Sequence, residues 1–403
     1  MWRNRNVWIL LTGEFIAGLG LWLGIIGNLE FMQEKVPSDF LKSLLLAAGL
    51  LAGIAAGPIA GKLVDQYSKK TVMLGAGVVR AISVLFMLTA IETGSVWWML
   101  VFLICLQVSA AFYFPALQAA IPLVVAEKEL LQLNGVHMNV STLSRILGTA
   151  AAGVMLVILP LNMLYILSLT AYVILVVLTW FLKIEEHAKP ERPSKTERKD
   201  HAGFKDVFPV IKKLPVIMLT LIMTLIPLLI LGGFNLMVIN ISEIQDSSAI
   251  KGWIYTSEGL AFMAGAFLIK QINTKFQAYS ILVSSSFLIG LSQLLLYFAD
   301  IPLLTIIAFL LFGFALGCFF PTAATIFQTK VPKEFHGRFF SFRNMLDRVF
   351  FQVTLLLSGF LLDSVGLQIM AVIFGIMAIS MTLVFISKFK QLPALDEPQK
   401  NIG

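Results

Sequence analysis

Charged residues are unusually scarce in this chain. Asp, Glu, Lys and Arg make up 13% of 403 residues, about half the share of a soluble globular protein. So few charges cannot coat the surface of a folded chain this long, so most of that surface must face lipid. Cysteine is nearly absent. Cys105 and Cys318 each lie in an apolar run, which leaves no disulfide framework and no cysteine metal set. The four histidines, His137, His187, His201 and His336, show no ligand spacing, so no metal or other cofactor is expected. A phosphate-binding loop is missing too: Gly57-Pro58-Ile59-Ala60-Gly61-Lys62-Leu63 is one residue short and lacks the Ser/Thr. With no nucleophile set and no soluble domain, neither an enzyme nor an ATP-driven pump is expected. No cleavable signal is expected either. The basic start Met1-Trp2-Arg3-Asn4-Arg5 leads into an apolar run that continues to about Phe31, too long for a signal core.

What the chain has in abundance is apolar length. Hydrophobic residues make up 58% and the mean hydropathy is +0.88. A helix needs about 20 apolar residues to cross the hydrocarbon core. Such runs centre on 8–29, 42–61, 72–92, 96–114, 137–159 and 163–182, then on 214–237, 253–270, 278–298, 302–319, 340–362 and 367–387. The expected fold is an all-α membrane protein, twelve transmembrane helices in two pseudo-symmetric six-helix bundles. Residues 1–182 and 214–390 form the bundles. The polar, proline-containing stretch 183–213 reads as a cytoplasmic linker and 391–403 as a cytoplasmic tail.

Lysine and arginine placement orients the helices. With the N-terminus inside, Arg3, Arg5, Lys62, Lys69, Lys70, Lys128, the linker cations, Lys270, Lys275, Lys330, Lys333, Arg338, Lys388, Lys390 and Lys400 all fall on the inner side. The outer segments hold only Lys35, Lys42 and Lys251. Both termini are therefore expected in the cytoplasm, in a cell membrane. Trp97, Trp98 and Trp253 mark the outer interface, and Trp8 and Trp180 the inner one. The net charge of +7 follows from this bias and needs no nucleic acid.

The halves echo each other. Phe114-Pro115-Ala116 is followed by Val125-Ala126-Glu127, and Phe320-Pro321-Thr322 by Val331-Pro332-Lys333 at the same distance. Leu143-Ser144-Arg145 recurs as Leu346-Asp347-Arg348. The order fits a parallel duplication of a six-helix unit.

Between the second and third helices stand Gly61, Asp65, Lys69 and Lys70. In that loop of a six-plus-six topology they resemble the signature G-x-x-x-D-R/K-x-G-R/K-R/K of the major facilitator superfamily. Gln66 and Ser68 depart from it. The segment from Phe112 to Gly135, with Pro115-Ala116-Leu117 and Ala120-Ile121-Pro122, is similar to the macrolide-efflux and enterobactin-exporter branch. That resemblance implies a drug:proton antiporter that moves small amphipathic organic molecules outward, self-contained as a monomer. A siderophore or other metabolite exporter, and an importer or facilitator, are the alternatives. It also implies that Gly61 and Asp65, with Lys69 and Lys70, form a conformational switch that packs on helix 11. Two departures bear on coupling. Leu106, beside Gln107, stands where helix 4 of proton-coupled members often carries arginine. Gly148-Thr149 replaces the usual Gly-Pro of helix 5, although Gly153 is retained.

Charges inside the spans are the remaining handle, since they are costly in hydrocarbon. Glu14 shares a helical face with Gly18, Leu21, Ile25 and Asn28, and that face is expected to line a central pathway. Glu258 is placed with them and with Gln107, its reading evenly divided between pathway and structural hydrogen bond. Glu30 points elsewhere, towards the rim, and reads as interfacial. Arg343 and Asp347 are four apart and can pair, with Arg348 adjacent. Arg145, Asp347 and Arg348 read as a pair or gate, and Arg80 in the same way. A carboxylate held away from water can bind and release a proton near neutral pH. Glu14 or Glu258 is thus a candidate proton carrier.

Overall fold

The structure, a computed structural model, describes residues 2–125, 129–184, 214–332 and 336–389. Almost all of these are helical, as lipid requires, because a helix satisfies its own backbone donors and acceptors. The first six helices are α1 (Arg5–Lys35), α2 (Asp39–Gln66), α3 (Lys69–Thr93), α4 (Val96–Val124), α5 (Leu130–Ile158) and α6 (Leu161–Trp180). Then come α7 (Pro215–Met223), α8 (Leu225–Leu231), α9 (Phe234–Ile244), α10 (Ala249–Lys275), α11 (Ala278–Leu295), α12 (Pro302–Lys330) and α13 (His336–Phe389). Polar caps cut the hairpins short. Ser38 and Ser68 each accept a hydrogen bond at 3.1 Å from the backbone N–H three residues on, starting α2 and α3. Gly94, at φ 66°, ends α3 in the left-handed conformation.

Ten stretches of the described residues are long and apolar enough to cross a membrane. The last, Phe342–Lys388, has 47 residues, about 70 Å of helix and more than twice the hydrocarbon thickness. It is two spans, because the backbone breaks at Gly366 (φ 79°, ψ 171°). α10 is long enough at 27 residues but is diluted by Lys251, Glu258, Lys270 and Lys275. Counting it, the described residues cross twelve times. Only glycine adopts the Gly366 backbone readily. Gly366→Ala should therefore cost about 1–3 kcal/mol, read as a lower melting temperature in detergent.

Two details of the sequence reading need correction. Helices overrun the apolar windows: α1 spans Arg5–Lys35 rather than 8–29. Hydropathy marks the hydrocarbon, whereas capping decides where a helix ends. The seventh span is three short helices rather than one run. Pro227 has no N–H to offer the Met223 carbonyl, and the helix breaks next door at Thr224. A second break falls at Gly232–Gly233, where the glycines admit Thr354 and Ser358 of α13. Thr354 Oγ1 donates to the Leu228 carbonyl at 3.1 Å.

The chain packs as two compact units. Unit 1 holds α1–α6 together with Asn235–Gly259, a segment that chain order alone would give to the second half. In it α1 packs on α5 and α6, α3 on α4 and α6, and α2 on α4. Unit 2 holds 214–234 and the chain from Leu260 on, with α11 packed between α12 and α13. From residue 185 on, the expected linker lies outside the described residues, as do the expected tail, His187, His201, Glu127, Lys128 and Lys333.

Candidate functional site

Helix α1 brings Glu14 to α5. A buried carboxylate there is possible because Gly18, one turn on, lets α1 approach the Ser144 side chain closely. Glu14 Oε2 lies 3.5 Å from His137 Nε2, and Tyr113 of α4 is an electrostatic neighbour of the same carboxylate. Behind Tyr113 lies Arg80 of α3, buried and without an ion pair among the described residues. Its guanidinium carbon sits 5.1 Å from the Tyr113 ring centre and 5.6 Å from that of Tyr172. Three helices thus surround one carboxylate, and its nearest base is an imidazole rather than a permanent cation. Asn28, about four turns further along α1, is buried as well. Its Nδ2 donates to Met32 Sδ at 3.2 Å, while its Oδ1 has no partner.

Further along α5 is a second acid–base pair. Arg145 Nη1 donates to Glu258 Oε2 at 2.7 Å, with side chains 21% and 6% exposed. The guanidinium carbon lies 5.9 Å from the Trp22 ring centre, and Trp22 meets Tyr255 at 5.7 Å. Tyr255 in turn donates to Asn235 Oδ1. Gly259 leaves the space: a Cβ there would stand 3.3 Å from Arg145 Nη2.

The same seam closes on glycine. Thr149 and Thr256 hydroxyls are 3.3 Å apart, and a Cβ on Gly252 would stand 2.6 Å from both the Gly153 Cα and the Thr149 carbonyl oxygen. Both obstacles are backbone, which cannot rotate away. Gly252→Ala should push α5 and α10 apart at a cost of about 1–3 kcal/mol, measurable as a melting-temperature drop that Ala at the unobstructed Gly57 does not reproduce.

At the end of unit 1 that carries residues 36–38, two lysines are buried almost completely. Lys251 (0% exposed) donates to Glu30 Oε2 at 2.8 Å and to Ser242 Oγ at 2.6 Å, and Ser248 donates to Glu30 Oε1 at 2.8 Å. Lys42 (2%) donates to Asp39 Oδ1 at 2.9 Å and reaches Glu243 at 3.5 Å. Asn240 donates to the other oxygen of Asp39 at 2.9 Å. Each of these two lysines has its counter-charge, as burial demands. These contacts tie the ends of α1 and α2 to α9 and α10.

Not every expected residue joins a cluster. Gln107 is half-buried, and its backbone packs against Gly53 of α2. Gly61 is exposed, with nothing within 4 Å of where a Cβ would stand. Asp65 lies in α2, its side chain outside the described set. Lys69 begins α3, and Lys70 Nζ lies 5.9 Å from the Trp180 ring centre. In unit 2, Arg343 Nε stands 3.5 Å from Asp347 Oδ2, an ion pair too poorly aligned to be a hydrogen bond, while Arg348 is exposed. Arg343 also lies 4.7 Å over the Phe327 ring. Sequence reasoning missed His137, Lys251 and Tyr113. Glu30 proves to be an ion-pair partner as well as a rim residue. A basic residue in a segment otherwise poor in cations was the available signal for Lys251. No signal short of the helix packing singles out His137.

A bundle of spans with acid–base pairs in its interior matches known proteins at three levels. Macrolide efflux protein A of Streptococcus pyogenes is 24% identical over 406 residues, covering 95% of each chain. An uncharacterized MFS-type transporter of Bacillus subtilis, YfiS, is 23% identical over 359 residues, covering 84% of this chain and 83% of the relative. Among solved structures, the nucleoside transporter NupG superposes with a TM-score of 0.71 at 15% identity, over 96% of this chain and 99% of that one. A sequence profile of the Major Facilitator Superfamily matches residues 10–246 and 228–402. The family read from Gly61, Asp65, Lys69 and Lys70 is thus the one whose profile matches nearly the whole length, and the chain belongs to the Major Facilitator Superfamily of membrane transporters.

Proposed function

We propose that this transporter moves amphipathic organic molecules out of the cell in exchange for protons, as a monomer in a cell membrane with both chain ends cytoplasmic. The observation that carries this reading is the Glu14 cluster. The carboxylate is buried, and its basic neighbour is a histidine at 3.5 Å. A proton from outside neutralises Glu14, which removes the cost of enclosing it as the bundle rearranges. Opening to the cytoplasm returns the proton to water and admits substrate on the face shared with Asn28, with Gln107 and Glu258 further along the path.

Two sets of contacts mark the ends of the cycle. The Glu30–Lys251 and Asp39–Lys42–Asn240–Glu243 contacts close the outer end and break when it opens. Gly61, Asp65, Lys69 and Lys70 form one switch element within unit 1, and Asp347 with Arg348 another within unit 2, which secure the other state. The outward direction and amphipathic cargo draw on the macrolide efflux relative, and the orientation on the lysine and arginine bias.

The test is transport in proteoliposomes. With an acidic lumen and neutral bath, protons leaving should drive a macrolide into the lumen, and a protonophore should abolish the accumulation. Accumulation in an alkaline lumen would mean import by co-transport, and gradient-independent equilibration a facilitator; either sinks the proposal. A secreted siderophore in the same assay separates that cargo from drug-like ones.

A further inference from the structure

Arg145 is held much as a bound organic cation would be. Its guanidinium meets a buried carboxylate on one side, Glu258 at 2.7 Å, and the face of an indole on the other, Trp22 at 5.9 Å. Tyr255 adds a second ring, 5.7 Å from Trp22. A carboxylate with aromatic walls is the chemistry that recognises ammonium groups. Glu258 supplies this from a position 5% exposed, where charge attraction is weakly screened. Arg145 itself is 21% exposed on its side chain, so it is not fully enclosed. Glycines bring the helices close around the pair: a Cβ on Gly259 would stand 3.3 Å from Arg145 Nη2, and one on Gly148 2.9 Å from Trp22 Cβ.

We propose that Glu258, Trp22 and Tyr255 form a binding site for an organic ammonium group, and that Arg145 is an internal placeholder which the substrate displaces. The inference rests on the transport reading above and narrows its cargo to amphipathic cations. Swinging away keeps Arg145 charged, so the exchange moves no net charge into the unit except that of the ligand. A structural latch made of the same residues would behave differently. Breaking a latch from either side weakens everything, whereas removing a competitor strengthens the ligand.

That difference in sign is the test, and it uses equilibrium binding, so it reads out even where transport or proton coupling fails. Purified full-length protein in detergent is titrated with a phenylhexyl-trimethylammonium ion and with its neutral isostere, in which a quaternary carbon replaces the nitrogen. The ammonium should bind at least about tenfold tighter than the isostere. Glu258→Gln, which preserves shape, should remove that discrimination and leave the isostere unchanged. Arg145→Gln should tighten the ammonium several-fold without affecting the isostere, and Trp22→Ala should weaken the ammonium. Helicity by circular dichroism and isostere binding control for folding. Discrimination that survives Glu258→Gln, or an Arg145→Gln protein that binds the ammonium more weakly than wild type, overturns the proposal. Glu258→Gln alone decides the matter where the arginine variant does not fold.

Discussion

Glu14→Gln should lower pH-gradient-driven accumulation at least about tenfold, roughly 1.4 kcal/mol or more of lost coupling, while substrate exchange without a gradient continues. Glutamine has the shape of glutamate and keeps an oxygen that can accept hydrogen bonds, so the cluster can stay assembled. What it loses is the titratable oxygen that faces His137 at 3.5 Å. A carrier that can no longer take a proton still alternates between its states with substrate bound, so counterflow of labelled against unlabelled substrate survives. If gradient-driven transport were intact in Glu14→Gln, Glu14 would have no coupling role. Loss of both activities together would indicate a damaged fold instead.

The second large effect concerns stability and differs between two partners of one pair. Removing one member of a buried ion pair costs about 3–5 kcal/mol, because the other charge is stranded. Lys251 is fully enclosed, whereas the Glu30 side chain keeps 26% of its exposure. Glu30→Gln strands the enclosed ammonium and should pay close to the full cost. Lys251→Met strands a carboxylate that water can still reach, so its cost should be smaller, about 2 kcal/mol. At roughly 2–4 °C per kcal/mol for a unit of this size, the two variants separate clearly in a thermal melt. The double variant should recover part of the loss. Equal losses from the two single variants would show that burial of Lys251 does not set the energetics.

The fold was legible because lipid leaves the chain little choice. Apolar length gave the spans, because it is a one-dimensional property of the chain. The Gly61–Lys70 motif gave the family for the same reason: its residues are neighbours in sequence. Glu14 could be picked out because a carboxylate within an apolar run is conspicuous. Its partner could not. His137 stands 123 positions away on a helix whose rotation about its own axis depends on Gly18 meeting Ser144. Arg145 was legible as a charge but not as Glu258's partner, since that pairing exists only because Asn235–Gly259 packs with the first six helices. The broken seventh span could have been read from Pro227 had its missing donor been weighed against the apolar run. Hydropathy outweighed it, because hydropathy counts residues and not hydrogen bonds.

The most direct test of proton–substrate exchange is proton release from the purified protein. In weakly buffered detergent solution near neutral pH, adding a macrolide to wild-type protein should release protons in proportion to the substrate bound. Glu14→Gln should bind the same macrolide and release none. Wild-type binding without any release, or equal release from the variant, would contradict exchange at Glu14.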